Sequence, residues 1–155
     1  MSITLKPITA ENWREAYNLK VKEHQQNLIA SNPHSLVQVM YDLPYQNKAS
    51  GIYHTDTMVG FMMTGMAIQD NEPDTRWIFR FMIGADYQQN GYGRTALKQY
   101  LAQTQAESQY RQIKISYAPQ NHVAKALYES IGFVEIGLHE EWNELVAVYT
   151  LTDND

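Results

Sequence analysis

Two segments of the chain carry residue types that could bind a phosphorylated ligand and move protons. The first, with the sequence QQNGYGRT, runs from Gln88 to Thr95, between a mostly apolar run and a segment with helical spacing. Glycine lets the backbone approach a ligand closely, and a helix N-terminus presents free N–H groups at the positive end of its dipole. The segment predicts a cradle for a phosphate or pyrophosphate; a turn that only starts a helix is the alternative.

Two other nucleotide-binding motifs fit this loop less well. A P-loop requires a glycine where Gln88 stands and a lysine where Arg94 stands. The pattern Gly91-x-Gly93-x-x-Ala96 matches the dinucleotide fingerprint, which accepts alanine at its third position. That fingerprint also requires an acidic residue about 20 positions downstream, and the end of the next predicted strand offers none. The hypothesis of a nicotinamide-linked reductase therefore rests on the glycine pattern alone.

The second segment extends the match to a known family. The first segment, Gln-x-x-Gly-x-Gly after a strand, resembles the acetyl-CoA pyrophosphate loop of the GNAT superfamily of N-acetyltransferases. The pattern N-x-x-A-x-x-L-Y-x-x-x-G-F, from Asn121 to Phe133, is similar to the second signature of that superfamily. The resemblance covers the chain from Ile3 to about Leu151. The strand from Trp77 to Phe81 and the overall length look most like the bacterial spermine/spermidine and diamine acetyltransferase branch.

The resemblance implies that acetyl-CoA is the co-substrate. The apolar strand before the glycine loop is expected to line the pantetheine arm through its backbone, because these enzymes splay a strand there. An unpaired N–H group of this strand could also polarise the thioester carbonyl. No metal is expected, since the five histidines show no ligand spacing. The candidate cofactor-binding residues are Phe81, Met82, Ile83, Gln88, Gln89, Asn90, Gly91, Tyr92, Gly93, Arg94, Thr95, Asn121 and Ala124.

Acetyl transfer to an amine requires that the amine lose a proton and that the departing thiolate be stabilised. The resemblance assigns the second task to Tyr128, whose hydroxyl is protonated at pH 7. By position alone Tyr128 fits a core aromatic better, because it lies on an apolar helical stripe with Ala124 and Leu127. Asn121 is expected to hydrogen-bond the CoA arm, to N-cap the following helix, or to do both.

The group that takes the amine proton is not singled out by any motif. Some polyamine acetyltransferases carry a carboxylate on the strand before the cofactor loop, at about the position of Phe79. Phenylalanine accepts no proton, so either a chain of water molecules or a carboxylate from elsewhere must serve. The candidates are Glu23, Glu140, Glu141 and Glu144.

The expected acceptor is a small cationic amine, such as spermine or spermidine. The branch resemblance favours it, and so does the formal charge of −5, from 17 acidic and 12 basic residues, which attracts cations. Glu23, Tyr41 and Arg80 are the candidate substrate-binding residues. Arg80 interrupts an apolar strand, where it could bind a phosphate or acidic group, fix a substrate loop through a carboxylate, or lie on the surface. Amino acids, aminoglycosides and protein N-termini are alternative acceptors, and an acyl-CoA sensor without turnover is an alternative function.

These segments require a scaffold of alternating strands and helices. Apolar periodicity predicts strands at 3–7, 52–54, 58–66, 77–83, 113–117, 133–139 and 145–151. It predicts helices after Thr9, over 21–29, from His34 or Ser35, over 91–106 and over 123–131. The order indicates one α/β (α+β) domain over residues 1–155, with a GNAT-like mixed sheet of about six to seven strands flanked by about four helices.

Composition argues against several other function classes. The chain has no cysteine, which excludes disulfides, thiolate metal sites and a cysteine nucleophile. It has no basic stripe, so no nucleic-acid partner is expected. No apolar run approaches a membrane span and no signal peptide is evident, so we expect a cytoplasmic protein without a membrane partner. A homodimer is expected, because many relatives in this superfamily are dimers and the C-terminal strand pair offers an edge.

Overall fold

Seven strands and four α-helices account for most of the chain in a computed structural model that describes residues 2–152. The strands are β1 (Ile3–Pro7), β2 (Lys48–His54), β3 (Thr57–Gly65), β4 (Thr75–Ile83), β5 (Gln112–Tyr117), β6 (Val134–His139) and β7 (Glu144–Thr150). The helices are α1 (Trp13–Asn18), α2 (Asn32–Tyr41), α3 (Tyr92–Glu107) and α4 (His122–Ile131). Both counts confirm the predicted fold class, whereas the single-domain assignment over 1–155 stays a prediction.

All seven strands belong to one sheet, in the order β1-β2-β3-β4-β5-β7-β6. Within residues 2–152, β4 and β5 are the one parallel pair, and α3 makes the crossover between them. The other neighbours pair antiparallel. Because β7 lies between β5 and β6, the C-terminal hairpin extends the sheet past the crossover and places β6 at its edge.

Helices cover the sheet on both faces, which explains why β3 and β4 are nearly continuous apolar runs. On one face α3 and α4 pack against residues such as Met62, Ile78 and Ile115. On the other face α1 and α2 pack against residues such as Phe61 and Trp77. Both faces of the central strands are therefore buried.

The central strands β4 and β5 separate part-way along their length. Their pairing ends at Ile78 and Ile115, although β4 continues to Ile83 and β5 to Tyr117. On its other side β4 carries a bulge, since Thr64 pairs with Ile78 and Met63 with Arg80, leaving Phe79 as the extra residue. A bulge bends a strand and increases its twist. The bulge thus lies at the point where β4 turns away from β5, and the predicted splayed strand is present.

The helix predicted over 21–29 is wrong. The segment forms one 3₁₀ turn, Glu23–Gln25, within an irregular loop. The amide of Gln25 accepts from the backbone N–H of Lys22 at 3.1 Å and donates to Gln88 at 3.1 Å, which ties the turn to the end of β4. Its apolar residues line a cleft instead of forming a helical stripe. Tertiary contacts therefore outweigh the apolar spacing.

The starts of the first two helices differ from the prediction. The first helix begins at Trp13, after Asn12, and Thr9 instead forms a turn in which its hydroxyl donates to Glu11 at 2.8 Å. The second helix begins at Asn32, before His34. The hydroxyl of Ser31 accepts from the His34 N–H at 3.2 Å, so this serine is the N-cap.

Candidate active site

The separation of β4 and β5 opens a cleft of about 450 Å³, which we call the β4–β5 cleft. Its walls are the end of β4, the first turns of α3 and α4, and the loop around 21–29. The predicted residues that line it are Phe81, Met82, Ile83, Gln88, Gln89, Gly91, Tyr92, Gly93, Arg94, Asn121, Ala124 and Tyr128. The two sequence motifs therefore meet on one cavity. Asn90 and Thr95 are not among its lining residues.

The glycine loop brings the N-terminus of α3 against the end of β4. Gly91 is the N-cap residue and has a left-handed φ of 81°, which favours glycine. A Cβ atom on Gly93 would lie 3.3 Å from Cγ1 of Ile83 and 3.5 Å from Cε1 of Phe81. The first N–H groups of a helix have no partner within it, so this end of the cleft suits a phosphate group.

Two side chains predicted to bind the cofactor hold the loop together. The Gln88 amide donates to the Ile83 carbonyl at 2.9 Å and to Gln25 at 2.8 Å. The Asn90 amide donates to the carbonyls of Tyr87 at 3.0 Å and Gln88 at 3.2 Å. Their side chains thus shape the cradle, and backbone groups are left to meet a ligand.

Three basic side chains line the cleft. Lys22 and His24 line it from the loop, and Arg94 lines it from α3. The guanidinium of Arg94 donates to the Ser130 hydroxyl at 2.6 Å, which fixes the arginine between α3 and α4. This charge complements the anionic group that the helix N-terminus favours.

Asn121 caps α4 at the opposite wall of the cleft. Its side-chain oxygen accepts from the Ala124 N–H at 3.2 Å, which confirms the predicted N-cap. The same residue lines the cleft, so the NH₂ group of its amide is available to a second partner.

Tyr128 packs in the core and also lines the cleft. It is 4% exposed and makes ring contacts with Phe81, Tyr117 and Phe133 at centroid distances of 6.4, 5.4 and 6.0 Å. Its hydroxyl makes no hydrogen bond to any side chain or backbone group of residues 2–152. Burial raises the pKa of Tyr128 above its ordinary value, and the neighbouring Tyr117 and Glu144 raise it further. The hydroxyl is therefore a donor at neutral pH.

Two further cavities adjoin the cleft. The inner chamber, about 370 Å³, shares Phe81, Asn121 and Tyr128 with the cleft. The outer chamber, about 340 Å³, is lined by Gln38, Asp42, Tyr45, Asn47, Met63 and Trp142. Both chambers share Phe79, Arg80, Ser116 and Glu144. The three cavities thus form a series from the phosphate end of the cleft to the α2 side of the sheet.

Arg80 and Glu144 stand at the boundary of the two chambers with opposite charges. Arg80 donates to the Phe79 carbonyl at 2.9 Å and to Gln38 at 3.0 Å. Burial lowers the pKa of Arg80, and Glu144 opposes that shift. Burial raises the pKa of Glu144, whereas Arg80, a hydrogen bond from Ser116, and His139 lower it. Arg80 is half-buried and lines both chambers, so it is not the surface arginine that was one of the alternatives.

The other predicted acidic and substrate residues lie apart from the chambers. Glu23, Glu140 and Glu141 are exposed, and none lines a described cavity of the site. Tyr41 is 79% exposed and lies outside the lining, whereas its neighbour Asp42 lines the outer chamber. Sequence reasoning missed five residues that line the outer chamber and belong to no motif: Gln38, Asn47, Met63, Ser116 and Trp142.

The comparisons with known proteins agree with this geometry. Residues 7–133 match the sequence model of the acetyltransferase (GNAT) family. This chain belongs to the GNAT family. Over 136 residues it is 30% identical to the spermine/spermidine N(1)-acetyltransferase of Bacillus subtilis (strain 168), a match that covers 86% of this chain and 88% of the relative.

Solved GNAT structures share the fold at low sequence identity. The spermidine N-acetyltransferase of Vibrio cholerae, in complex with CoA and spermine, superimposes with a TM-score of 0.71 at 18% identity, covering 94% of this chain and 92% of that one. The aminoglycoside acetyltransferase AAC(6')-Ib, in complex with coenzyme A and kanamycin, gives a TM-score of 0.81 at 16% identity, covering 96% and 95%. These likenesses show the fold.

The family membership makes this GNAT protein an acetyl-CoA-dependent N-acetyltransferase. The cleft fits acetyl-CoA, because it joins a helix N-terminus with basic side chains to an apolar strand end. Within residues 2–152 no group of three or more histidine or acidic side chains could hold a metal ion. No helix in that part of the chain is long and apolar enough to cross a membrane.

Proposed function

We propose that this GNAT enzyme acetylates a primary amine of a small polycationic acceptor, a polyamine such as spermine or spermidine. The composition of the outer chamber carries the proposal. Two carboxylates, Asp42 and Glu144, and one guanidinium, that of Arg80, line this chamber, so its charge favours a cation. Tyr45, Phe79 and Trp142 add aromatic faces, which attract ammonium groups.

One unpartnered acceptor at the outer chamber, Oδ1 of Asn47, supports an ammonium ligand, because an ammonium group only donates hydrogen bonds. Among the described residues, Oδ1 of Asn47, Nε of Arg80 and Nδ1 of His139 are buried without a hydrogen-bond partner. Asn47 and Arg80 line the chamber, and His139 stacks on Trp142 with ring centroids 3.7 Å apart. Buried polar groups are normally paired, and an ammonium group could donate to the Asn47 oxygen.

The cleft residues would hold acetyl-CoA through distinct parts of the molecule. The N-terminus of α3 and Arg94 would bind the pyrophosphate, and Phe81, Met82 and Ile83 would line the pantetheine arm. Thr95 lies one turn into α3 and bonds Gly91 through its N–H at 3.2 Å, so its backbone stabilises the helix start. Asn121 would donate its amide hydrogens to the arm while it caps α4.

Tyr128 would stabilise the departing thiolate. Its raised pKa keeps the hydroxyl protonated, so it can donate a hydrogen bond as charge develops on the sulfur. The other tyrosine of the inner chamber, Tyr117, already donates to Glu135 at 2.9 Å. Tyr128 is therefore the tyrosine with a free hydroxyl at this wall.

A thiol-release assay tests the proposed substrate. Acetyl-CoA is supplied with spermine, spermidine, shorter diamines, amino acids or aminoglycosides, and free CoA is followed with a thiol reagent. We expect release of CoA with the polyamines and little with amino acids, because the carboxylate of an amino acid would be repelled by those of Asp42 and Glu144. Thermal stabilisation by acetyl-CoA without release in any arm would instead indicate the binding role without turnover.

We further propose that the enzyme is a homodimer paired through β6. This strand lies at the edge of the sheet, and its apolar residues Val134, Ile136 and Leu138 are 64%, 55% and 52% exposed. An exposed apolar edge strand favours pairing with a second copy. Light scattering coupled to size-exclusion chromatography measures the mass directly; a single monomer peak would exclude this pairing. A cytoplasmic location stays a prediction.

A further inference from the structure

The acetyl transfer needs a group that takes a proton from the acceptor amine, and Phe79 cannot do so. An amine with a pKa near 10.4 is almost entirely protonated at pH 7 and cannot attack a carbonyl in that form. Among residues 2–152, Glu144 is the one carboxylate that lines the inner chamber beside Tyr128. It also lines the outer chamber, where the acceptor is proposed to bind.

The strand pairing explains why Glu144 reaches this position. Glu144 is the first residue of β7, and the next two residues pair with Tyr117 and Ser116 at the end of β5. Glu144 therefore lies beside the end of β5, where β4 and β5 have stopped pairing. Side chains two residues apart share a face, so Glu144 lies on the same face as Val146. Val146 packs with Phe79 in the cluster under α1 and α2.

Glu144 and Tyr128 approach the site from opposite faces of the sheet. Tyr128 belongs to the core cluster under α3 and α4. Glu144 lies on the other face of the sheet, because Val146, two residues further along β7, belongs to the cluster under α1 and α2. The gap between β4 and β5 lets both side chains line one chamber. An acceptor in the outer chamber would thus pass Glu144 before it reaches the neighbourhood of Tyr128.

Several groups around Glu144 control its charge. Arg80 faces it from β4, Ser116 from β5, His139 from β6 and Tyr128 from α4, and Asp42 on the α2 side lines the same outer chamber. Burial raises the pKa of Glu144, whereas Arg80, Ser116 and His139 favour its ionised form. A partly buried carboxylate with these partners has the properties of a general base.

We propose that Glu144 is the general base of this enzyme, an inference that rests on the proposed acetyl transfer to an amine. One proton of the ammonium group passes to the Glu144 carboxylate and from there to solvent. The nitrogen lone pair forms the C–N bond with the acetyl carbon, and the C–S bond breaks with its electrons going to sulfur. Tyr128 donates a hydrogen bond to the sulfur as negative charge develops there. The sulfur then takes up the second proton that the nitrogen loses, so CoA leaves as the thiol and one proton is released overall.

A comparison of three glutamine variants tests this role. Glu144→Gln keeps the size and hydrogen bonding of the side chain but removes the proton acceptor. Glu140→Gln and Glu141→Gln are matched controls, because both residues are exposed in the turn just before β7. Rates with spermidine are measured from pH 6 to 9.5, and acetyl-CoA binding is measured by calorimetry. We expect Glu144→Gln to lower kcat/KM at pH 7 by about 100-fold or more, with unchanged acetyl-CoA affinity.

The pH profile separates a base from a structural residue. The loss in Glu144→Gln should shrink as the pH rises, because more of the amine then arrives without its extra proton. Glu144→Asp should recover part of the activity. Ser116→Ala is a second variant that changes little volume: it removes a hydrogen bond that lowers the Glu144 pKa, so the acid limb of kcat/KM should move to higher pH.

The outcomes distinguish the base from the reaction. If wild type turns over and Glu144→Gln has the same pH profile as the two controls, Glu144 is not the general base. The proposed acetyl transfer would then still hold. An acid limb that stays in place in Ser116→Ala would also count against Glu144, even if Glu144→Gln failed to fold. If wild type binds acetyl-CoA but releases no CoA with any amine, the proposed function is wrong, and so is the assignment of Glu144 as general base.

Discussion

Arg80 on β4 and Glu144 on β7 interact across the gap that opens where β4 and β5 stop pairing. Each shifts the pKa of the other toward the charged form, against the effect of burial. Arg80 is held in place by the Phe79 carbonyl and by Gln38 of α2, so this arginine also links β4 to α2. The charge state of the site therefore depends on the electrostatic interaction between Arg80 and Glu144.

Removal of the Arg80 charge should change the pH dependence of turnover. Without the guanidinium the ionised form of Glu144 is less favoured, so its pKa rises. A base must be ionised to act, and the acid limb of kcat/KM in Arg80→Gln is thus expected at higher pH than in wild type. The exposed Arg14 provides a control with the same change in net charge, Arg14→Gln, whose profile should match wild type. A shared shift in both variants would point to a general charge effect.

Tyr128→Phe should abolish most turnover while it leaves acetyl-CoA binding intact. The substitution removes the hydroxyl but keeps the ring that packs against Phe81 and Phe133. The expected fall in kcat is about 100-fold or more, because the thiolate loses its donor. Steady-state rates and calorimetric binding of acetyl-CoA check this. Tyr149→Phe, which also packs against Phe133, should keep its activity. Wild-type kcat in Tyr128→Phe across the pH range would refute the assignment.

Gly93→Val should weaken acetyl-CoA binding. The added Cβ would meet Ile83 at 3.3 Å, a tight contact that pushes the first turn of α3 away from the end of β4. We expect a tenfold or larger rise in Kd, equivalent to about 1.4 kcal/mol. Calorimetry measures the change, and Lys98→Val in the exposed part of α3 is the control. Equal Kd values for the two variants would mean that the loop does not bind the cofactor.

Two substitutions at Asn121 should separate its two roles. Asn121→Asp keeps the oxygen that caps α4 but loses the amide hydrogens, so it should keep the Tm and weaken acetyl-CoA binding. Asn121→Ala loses both, and its free energy of unfolding should fall by about 1 kcal/mol. Thermal unfolding and calorimetry report the two effects independently. If Asn121→Asp binds acetyl-CoA as tightly as wild type, the residue is a cap only.

Asp42→Asn should raise KM for spermidine with little change in kcat. Asp42 lines the outer chamber at the end of α2, where its carboxylate would hold an ammonium group remote from the reacting one. Removal of its charge weakens binding of the acceptor before and during the reaction equally, which raises KM alone. We expect an increase of several-fold, measured at saturating acetyl-CoA. Asp56→Asn, in the exposed turn between β2 and β3, is the control and should behave as wild type.

Local chemistry explains what could be predicted from the sequence. The glycine loop, the Asn121 cap and the stripe that carries Tyr128 each depend on residues within one turn or one helix. The apolar runs of β3 and β4 and the alternation in β5 depend only on nearest neighbours. From these features the sequence predicts the seven strands, the helix after the glycine loop and the family.

Long-range pairing decided the rest of the site. Glu144 enters the chamber because β7 inserts between β5 and β6, while the nearby Glu140 and Glu141 stay in the exposed turn. The splay depends on a bulge at Phe79, which only the register of β4 against β3 reveals. The loop around Gln25 is held by Gln88, 63 residues away, and not by a helical repeat. The sequence by itself determined the cofactor motifs, because their geometry is local. The tertiary structure decided which carboxylate lines the two chambers, because that depends on which strands become neighbours.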